Sequence, residues 1–468
     1  MLFLRDRELE VLERAFRSGR AQLIVVYGRR RLGKTTLVRE FIKGKKGLYL
    51  FTPRGSIVNI LDNYSREVRS QLGSWVSFSS WFDFLDFLDA TSRERFVVVM
   101  DEFQWLGESQ ASSISLIQDL WDRRLAKSRI VLILVGSAVG MIERLALKGD
   151  SPLFGRKTTE LRLSPLPYFR ARVLWEGLSE EKRIEAYGVF GGTPAYMVQY
   201  SKTRSLKWNI LTNILMRGAP LSSEPEALLS QELRSPGVYM SILERIASGV
   251  RGLPLGKLRV AEGNVIPYIR TLEKMDIVER IVPAGLSRYG ARNTLYTFRD
   301  EFFRFWFKYV HPNRWMIELG KEDEIMETIQ KTLNQYLSYT FEKILLELVS
   351  LWSGRKLLGK RLPILSEVKP YWKGDVELDV CGLGENTLVA GEAKWSEKQI
   401  SAKEIYNALN RAEEVAETFK KKETLLIIAS RKGFTKNAEM VEDEKIVTLT
   451  LEKMAKAFNR LQTQERGR

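Results

Sequence analysis

The segment AQLIVVYGRRRLGKTT, residues 21–36, joins an apolar run to a glycine-rich loop that ends in Gly-Lys-Thr. Its first seven residues form the short, uncharged run that is typical of a strand buried on both faces of a parallel sheet. Gly28, Gly33, Lys34 and Thr35 then follow with the spacing G-x-x-x-x-G-K-T. Two glycines at this spacing let the backbone wrap a polyphosphate, and the N–H groups that open the next helix point at it. The segment therefore predicts a strand, a phosphate-binding loop and a helix, in that order.

Two side chains of this loop have distinct predicted tasks. Lys34 reaches the β- and γ-phosphates of ATP, and Thr35 ligates Mg²⁺. A chance Gly-Lys-Thr in an ordinary loop is the alternative, but a helical pattern with apolar Leu37, Val38 and Phe41 follows directly. We expect the whole loop to contact the nucleotide. The predicted contacts are Gly28, Arg29, Arg30, Arg31, Leu32, Gly33, Lys34, Thr35 and Thr36.

Two further apolar runs end in polar residues. Residues 96–100 (FVVVM) are followed by Asp101 and Glu102, and residues 130–135 are followed by Gly-Ser, which ends at Ser137. Ligands of open α/β sheets bind at the carboxyl ends of the strands. We expect Asp101 to hold the Mg²⁺ shell, Glu102 to polarise the attacking water and Ser137 to lie beside the γ-phosphate. Lys34, Glu102 and Ser137 are the predicted catalytic residues of this site.

The composition restricts the chemistry further. The 468 residues contain one histidine, His311, and one cysteine, Cys381. A structural zinc site needs four Cys or His ligands and a disulfide needs two cysteines, so both are excluded within the chain. A Ser-His-Asp mechanism would have to recruit His311. Carboxylates, lysines, hydroxyls and a hard metal ion remain as the predicted chemical groups.

The chain is basic, with a net charge of +16. Residues 1–50 hold 13 Lys and Arg against 5 Asp and Glu, which is half of the surplus, and Arg29 to Arg31 belong to the phosphate loop. A basic balance is compatible with nucleic-acid binding, whereas a solvated basic surface, common in proteins from hot environments, is the alternative. The distribution therefore indicates ATP as much as DNA.

The sequence also bears on localisation. The first ten residues reach acidic and basic side chains at once and lack an apolar core, so no signal peptide is visible. The longest uncharged apolar stretch, residues 130–142, is shorter than the about 20 residues that a spanning helix needs. We expect a cytoplasmic protein without membrane association.

The middle of the chain shows three helical patterns followed by a hairpin. The patterns cover residues 239–248, 254–260 and 265–275, and the alternating segments 277–282 and 295–298 follow. This order predicts a winged helix, a variant of helix-turn-helix. Its basic residues would contact DNA phosphates. They are Arg270 and Lys274 on the third helix and Arg288 and Arg292 in the wing. The alternative is a packing module that contacts no DNA.

A helix that begins near Tyr336 places Glu342 on an apolar face with Leu345, Leu346 and Val349. A carboxylate on an apolar face is costly to bury without a partner. We therefore expect Glu342 to be paired or bound to a metal ion.

Downstream, VELDVCG (residues 376–382) and LVAGEAKW (residues 388–395) alternate like half-buried strands. If Glu385 and Asn386 form a two-residue turn, Asp379 lies opposite Glu392. Opposed like charges destabilise a sheet, and a divalent cation between them would remove that cost. The sequence thus predicts a site for Mg²⁺ or Mn²⁺.

Lys394 lies two residues beyond Glu392, on the same face of its strand. There it would orient or deprotonate a metal-bound water. The predicted metal ligands are Glu342, Asp379 and Glu392, and Asp379, Glu392 and Lys394 are the predicted catalytic residues. The alternative is a solvated hairpin with a salt bridge between Glu377 and Lys394.

Five motifs resemble the archaeal ATPase family, a branch of the STAND ATPases related to AAA+ proteins. They are YGRRRLGKTTLV, VVVMDEFQWL, LVGSAVGM, PLFGR and FGGTPAY. The resemblance implies that Gly191, Gly192 and Pro194 form a loop near the adenine in a helical lid, so Pro194 is a predicted nucleotide contact. It also implies that Arg156 lies near the nucleotide, acting in cis or in trans. A plain turn and a surface salt bridge are the respective alternatives.

The C-terminal pattern resembles the restriction-endonuclease-like PD-(D/E)XK nuclease fold. The resemblance rests on Asp379, the Glu392-x-Lys394 strand and the upstream helical Glu342. Archaeal ATPases of this family often carry a C-terminal domain of unknown function that resembles this fold. A fold that has lost its catalytic activity is the alternative.

Taken together, the patterns predict a multidomain α/β protein. We expect a P-loop NTPase core with a parallel sheet at residues 1–175 and a helical lid at 176–235. A winged helix at 236–315 and a nuclease-like α/β domain at 316–468 follow. The predicted function is an ATP-hydrolysing switch that controls a DNA-directed, Mg²⁺-dependent nuclease-like effector.

Two other functions are compatible with the same residues. One is a nucleotide-switched regulator that binds DNA or protein and has an inactive nuclease fold. The other is an ATPase that remodels DNA. Whether a protein partner or a second copy of the chain takes part stays open.

Overall fold

The computed structural model divides the chain into two compact units. The first comprises Met1–Pro165 with Lys274–Asp276, and the second comprises Leu166–Glu273 with Ile277–Arg468. The residues that the structure describes are 4–110, 112–147, 149, 151–258, 263–286, 293–441 and 443–466. Arg288 and Arg292, the predicted phosphate contacts of the wing, lie outside these residues. The boundaries of the four predicted domains stay predictions.

The first unit is built around a five-stranded sheet in which all strands are parallel. The strands are β1 (Gln22–Tyr27), β2 (Gly47–Phe51), β3 (Val97–Asp101), β4 (Val131–Gly136) and β5 (Thr159–Arg162). Their order across the sheet is β2-β3-β4-β1-β5. Strands β3 and β4 are buried along their whole length, as their uninterrupted apolar sequences predict.

Helices cover both faces of this sheet. They are α1 (Asp6–Arg17), α2 (Lys34–Ile42), α3 (Ile57–Leu72), α4 (Trp81–Thr91), α5 (Gln104–Ser109), α6 (Ser112–Arg123) and α7 (Val139–Ile142). Side chains of a strand alternate between faces. Leu23 and Val25 therefore pack in the cluster that contains α3, α4 and α6 residues, whereas Ile24 and Val26 pack with α1 and α2.

Helices occur along the whole length of the second unit. They are α8 (Tyr168–Ala171), α9 (Glu180–Phe190), α10 (Pro194–Met197), α11 (Leu206–Ile210), α12 (Glu224–Glu232), α13 (Pro236–Ser248), α14 (Ile266–Lys274), α15 (Glu301–Phe305), α16 (Arg314–Glu318), α17 (Glu322–Trp352), α18 (Ala402–Thr418), α19 (Lys436–Glu439) and α20 (Leu451–Arg466). Short 3₁₀ and π turns extend several of them. Within the described ranges, every helix is too short or too polar to cross a lipid bilayer.

The strands of the second unit form three sheets. Strands β6 (Leu253–Pro254), β7 (Val278–Ile281) and β8 (Leu295–Phe298) are antiparallel in the order β6-β8-β7, and β9 (Lys356–Leu357) pairs with β10 (Lys360–Arg361). The third sheet consists of β11 (Glu367–Lys373), β12 (Val376–Leu383), β13 (Thr387–Lys394), β14 (Glu423–Ser430) and β15 (Ile446–Thr450). Its strands follow chain order, antiparallel from β11 to β13 and parallel from β13 to β15.

Two predicted helices differ from the structure. The prediction of a helix at residues 254–260 is wrong in its described part, because Leu253 and Pro254 pair with β8 and only Leu255–Lys257 makes a 3₁₀ turn. So short a helix is marginal by itself, and pairing with a strand replaces it. The helix predicted from Tyr336 begins earlier, at Glu322. Its charged start is an acidic first turn, where the helix dipole favours carboxylates.

Candidate functional sites

The glycine-rich loop connects β1 to α2 in the first unit. Lys34 is the first residue of α2, and its Nζ donates hydrogen bonds to the carbonyl oxygens of Gly28 (2.7 Å) and Arg29 (2.9 Å). The lysine is buried, so its ammonium lies inside the curve of the loop. The strand, the loop and the helix therefore follow in the predicted order, and the contact of Lys34 with phosphate stays a prediction.

Backbone geometry explains the first glycine of the motif. Gly28 has φ 145°, and a Cβ there would lie 2.3 Å from the carbonyl oxygen of Leu163. Gly33 and Arg31 also have positive φ, 84° and 73°. Arg31 is not a glycine, and a non-glycine residue in this region marks a loop whose surroundings impose its conformation.

At the end of β3, Asp101 holds two hydroxyl groups. Its Oδ2 accepts hydrogen bonds from Thr35 Oγ1 at 2.7 Å and from the Tyr49 hydroxyl at 2.6 Å. Burial, followed by the charge of Asp101, raises the pKa of Tyr49 well above its usual range. Thr35 and Asp101 supply the hard oxygen donors that Mg²⁺ prefers, so the residues present fit this ion.

Sequence reasoning missed Tyr49. It lies on β2, which pairs with β3 in parallel. In sequence, Tyr49 is only one residue of a short strand. Its contact with Asp101 depends on β2 lying beside β3, and local sequence does not show which strands are neighbours.

Glu102 is held by two neighbours. Its Oε2 accepts a hydrogen bond from Ser137 Oγ at 2.7 Å and another from Gln104 Nε2. Glu102 has φ 54°, a left-handed conformation that is uncommon outside glycine. Because β4 lies between β1 and β3, Ser137 at its end lies between the loop and Glu102. Gln104, which is fully buried, is the residue whose role the sequence did not show.

The other predicted nucleotide contacts have varied surroundings. Leu32 packs in the core with residues of α1 and α2, Arg29 is buried, and Arg31 and Thr36 are exposed. Arg156 makes a two-pronged ion pair with Asp122 at 2.7 Å, which corresponds to the salt-bridge alternative. Their contacts with nucleotide stay predictions.

The Gly-Gly-x-Pro loop lies in the second unit. Pro194 begins α10, and Gly191 has φ 66°. A Cβ on Gly192 would lie 1.8 Å from the carbonyl oxygen of Leu166, whose N–H donates to the Gly192 carbonyl at 2.7 Å. The second glycine is therefore required by this close backbone approach, and the nucleotide contact of Pro194 stays a prediction.

The hairpin β12–β13 has the predicted register. Val380 pairs with Gly391 and Leu383 with Leu388, and the Gly384 N–H donates to the Thr387 carbonyl. Glu385 and Asn386 are therefore the two turn residues. One step beyond the last pair, the same register places Asp379 opposite Glu392, and both side chains are buried.

Basic side chains hold this carboxylate cluster, which we define as Glu342, Glu377, Asp379 and Glu392. Arg251 Nε lies 2.8 Å from Glu342 Oε2, and its Nη2 lies 2.7 Å from Asp379 Oδ1. Arg251 also pairs with Glu377. Lys394 and Arg411 lie 3.0 Å and 2.9 Å from the two oxygens of Glu392. The alternative salt bridge between Glu377 and Lys394 is not found among the described contacts.

The proximity of the buried carboxylates affects their protonation. Burial, together with the negative charges of Glu342 and Glu392, raises the pKa of Asp379 to about 7. Burial also raises the pKa of Glu342. In the described part of the chain, no group of three or more Asp, Glu, His or Cys is arranged to hold a metal ion. The predicted ligands Glu342, Asp379 and Glu392 are thus gathered, but they are paired with cationic side chains instead of facing one common point.

Comparison with known proteins matches an N-terminal and a C-terminal part of the chain to two families. The model of an ATPase domain found predominantly in Archaea matches residues 2–200, and a family described as archaea bacterial proteins of unknown function matches residues 306–405. The uncharacterized protein MJECL04 of Methanocaldococcus jannaschii is 30% identical over 419 residues, which are 87% of this chain and 90% of that protein. The chain belongs to this family of archaeal ATPases.

Two further matches are to an ATP-binding protein and to a Walker-type ATPase. The uncharacterized ATP-binding protein MJ0423 of the same organism is 50% identical over 46 residues, 10% of this chain and 78% of that protein. The Walker-type ATPase PABY2304 of Pyrococcus abyssi superposes with a TM-score of 0.50 at 19% identity, over 65% of this chain and 96% of that chain. The archaeal ATPase therefore has a P-loop ATPase domain, and its family implies ATP, typically with Mg²⁺.

Proposed function

We propose that this archaeal ATPase hydrolyses ATP with Glu102 as the residue that orients the attacking water and accepts its proton. The observation that carries this proposal is the pair of hydrogen bonds that Ser137 and Gln104 donate to the Glu102 carboxylate. They hold one carboxylate oxygen near the carboxyl edge of the sheet, where Asp101 ends β3 and where Lys34 and Thr35 open α2 after the loop that follows β1. A positioned carboxylate of this kind contributes about 10²–10⁴-fold to a rate.

The remaining residues of this site bind the nucleotide. Lys34 neutralises phosphate charge, and the backbone of residues 28–36 surrounds the phosphates. Thr35 and Asp101 would hold Mg²⁺, which neutralises developing charge on the phosphate oxygens. Ser137 and Gln104 fix the position of the Glu102 carboxylate through their hydrogen bonds to its Oε2.

Replacing Glu102 with glutamine tests this assignment. Glutamine keeps the shape of the side chain but cannot accept a proton, so we expect ATP affinity to stay within a few-fold and kcat to fall about 10²–10⁴-fold. Phosphate release and calorimetric ATP binding measure the two quantities. Glu108→Gln is the matched control, because Glu108 pairs only with Arg54 in its described contacts. Turnover at the wild-type rate in Glu102→Gln would disprove the role.

We further propose that the carboxylate cluster is the site of a nuclease-like effector that acts on DNA and is controlled by the nucleotide state. Buried Asp379 and Glu392 face each other across the hairpin, with Lys394 3.0 Å from Glu392 and Glu342 nearby on α17. In this function Glu342, Asp379 and Glu392 would hold Mg²⁺ or Mn²⁺, which would activate water toward a phosphodiester. Lys394 would orient that water or take its proton.

Support for DNA as the partner is electrostatic and topological. Helices α13 and α14 with the β7–β8 hairpin are the elements we propose as a winged helix, and Arg270 on α14 is exposed. Phosphate contacts by such residues predict that DNA affinity falls steeply with added salt. A scaffold that binds only protein need not show this dependence.

The combined substitution Asp379→Ala and Glu392→Ala tests the effector. We expect the wild type to cut DNA with Mg²⁺ or Mn²⁺ in at least one nucleotide state, and the double variant to lose the cutting while ATP turnover stays unchanged. A gel assay with linear and supercoiled DNA, run beside the ATPase assay, measures both. The matched control is Asp375→Ala with Glu385→Ala, two exposed acids in the turns that precede and follow β12.

If the wild type cuts neither DNA nor RNA in any nucleotide state, the effector is not a nuclease. The second candidate function, a nucleotide-switched regulator with an inactive nuclease fold, would then apply. The observation that favours it is the pairing of every carboxylate of the cluster with an arginine or lysine.

A further inference from the structure

Arg251 stands in a short loop that glycines shape. The loop joins α13 to β6, and Gly252 has φ 102° with an added Cβ only 2.3 Å from the Tyr296 carbonyl oxygen. A Cβ on Gly249 would lie 2.3 Å from the carbonyl oxygen of Gly252. Side chains larger than hydrogen would therefore displace the loop at both positions. The backbone that carries Arg251 is thus set by close contacts on either side of it.

The guanidinium is surrounded by acids from two different elements. Nε and Nη2 contact Glu342 on α17 at 2.8 Å and Asp379 on β12 at 2.7 Å, and Glu377 on β12 is the third partner. Glu342 and Asp379 are largely buried, with side chains 16% and 7% exposed. Charged hydrogen bonds of this kind are among the strong ones, and they use the planar fork of arginine.

The acids need such a cation. Buried carboxylates that lie close together repel each other, and the repulsion is relieved by protonation or by a positive charge. A divalent ion would supply that charge in a nuclease site, yet the predicted ligands do not converge on one point. Arg251 holds Glu342 and Asp379, while Lys394 and Arg411 hold Glu392. Arg251 therefore supplies to Glu342 and Asp379 the positive charge that a metal ion would otherwise supply.

We propose that Arg251 is an internal counter-cation that keeps the carboxylate cluster closed to divalent metal ions, and that its withdrawal opens the cluster. The proposal rests on the nuclease-like function proposed above, because it names the regulation of the same site. Arg251 has space to withdraw, since it borders a cavity of about 810 Å³ that Glu342, Glu377, Asp379 and Trp372 also line. A rotation of its side chain would suffice, without unfolding the loop.

Mn²⁺ binding to the nucleotide-free, full-length protein tests the proposal. Arg251→Met removes the charge and keeps most of the side-chain length, and we expect it to bind Mn²⁺ at least about tenfold more tightly than the wild type. Calorimetry or electron paramagnetic resonance measures the affinity. Adding Asp379→Asn should abolish the gain. Arg251→Lys, which keeps a cation, should remain close to the wild type.

A second variant tests the proposal independently, in case Arg251→Met does not fold. Glu377→Gln removes one exposed partner of the arginine and none of the predicted metal ligands. If Arg251 blocks the site, Mn²⁺ affinity rises in this variant, whereas a simple loss of negative charge would lower it. The proposal is overturned if folded Arg251→Met binds Mn²⁺ no better than the wild type, or if affinity falls in Glu377→Gln.

The two proposals fail in different ways. If Arg251→Met binds Mn²⁺ more tightly but cleaves no nucleic acid, the proposed role of Arg251 is supported and the proposed nuclease function is contradicted. If the wild type cleaves nucleic acid and Arg251→Met binds Mn²⁺ with unchanged affinity, only the proposed role of Arg251 is contradicted.

Discussion

Replacing Lys34 with alanine will abolish ATP binding and, with it, ATP hydrolysis. The ammonium is held inside the loop by the carbonyl oxygens of Gly28 and Arg29, at the centre of the curve that we propose receives the phosphates. Alanine removes the one lysine that the motif places against the β- and γ-phosphates. Loss of a single preorganised group that stabilises charge costs about 10²–10³ in kcat, and loss of binding adds to it.

The substitution leaves the fold largely intact, because α2 is anchored by Leu37, Val38 and Phe41 in the core. Lys43→Ala is the matched control, since Lys43 is exposed on the same segment and pairs with Glu40. Calorimetric ATP binding and phosphate release measure both variants. Wild-type ATPase activity in Lys34→Ala would exclude this loop as the nucleotide site.

Replacing Glu301 with alanine will cause the largest loss of stability that we expect from one substitution in the second unit. Glu301 is 1% exposed and lies 2.7 Å from Arg304 and 3.0 Å from Lys343, and it accepts a hydrogen bond from Thr340. Burial pushes its pKa up, but Arg304 and Lys343 more than reverse this, so the pKa lies below the usual range and the carboxylate is ionised.

Removing this carboxylate takes the acidic partner from buried Arg304 and leaves half-buried Lys343 with Glu279 alone. Breaking a buried ion pair from one side costs about 3–5 kcal/mol of unfolding free energy. Thermal unfolding followed by circular dichroism should show the second unit melting roughly 10 °C lower. Glu324→Ala is the control, because Glu324 pairs with Lys321 at the surface and should change stability by less than about 1 kcal/mol. Equal melting of the two variants would contradict the role of this network.

Local patterns predicted the parts of the molecule that depend on neighbours in the chain. The order of strand, loop and helix around residues 28–36 follows from the local sequence, because the apolar runs and the glycines are neighbours in the chain. The register of β12 with β13 followed from a two-residue turn, because the turn length determines which residues face each other. Asp379 and Glu392 could therefore be placed together before the fold was known.

The start of α17 illustrates a limit of local patterns. Its first turn, Glu322 to Glu324, is acidic and resembles a solvated linker in sequence. The helix dipole stabilises these carboxylates, and residues Ile325 and Met326 are buried by packing. Burial was not visible in the sequence, so the helix was predicted to begin later than it does.

The sequence by itself determined the local backbone on which the proposed nucleotide site is built, because Lys34, Thr35, Asp101, Glu102 and Ser137 each follow an apolar strand or open a helix in a short local motif. Only the tertiary structure decided what surrounds the charged groups. Tyr49 reaches Asp101 through the order of the strands, and Arg251 reaches Asp379 across 128 residues of chain. The physical reason is that a motif encodes local backbone geometry, whereas the partner of a buried charge depends on which distant elements pack against it.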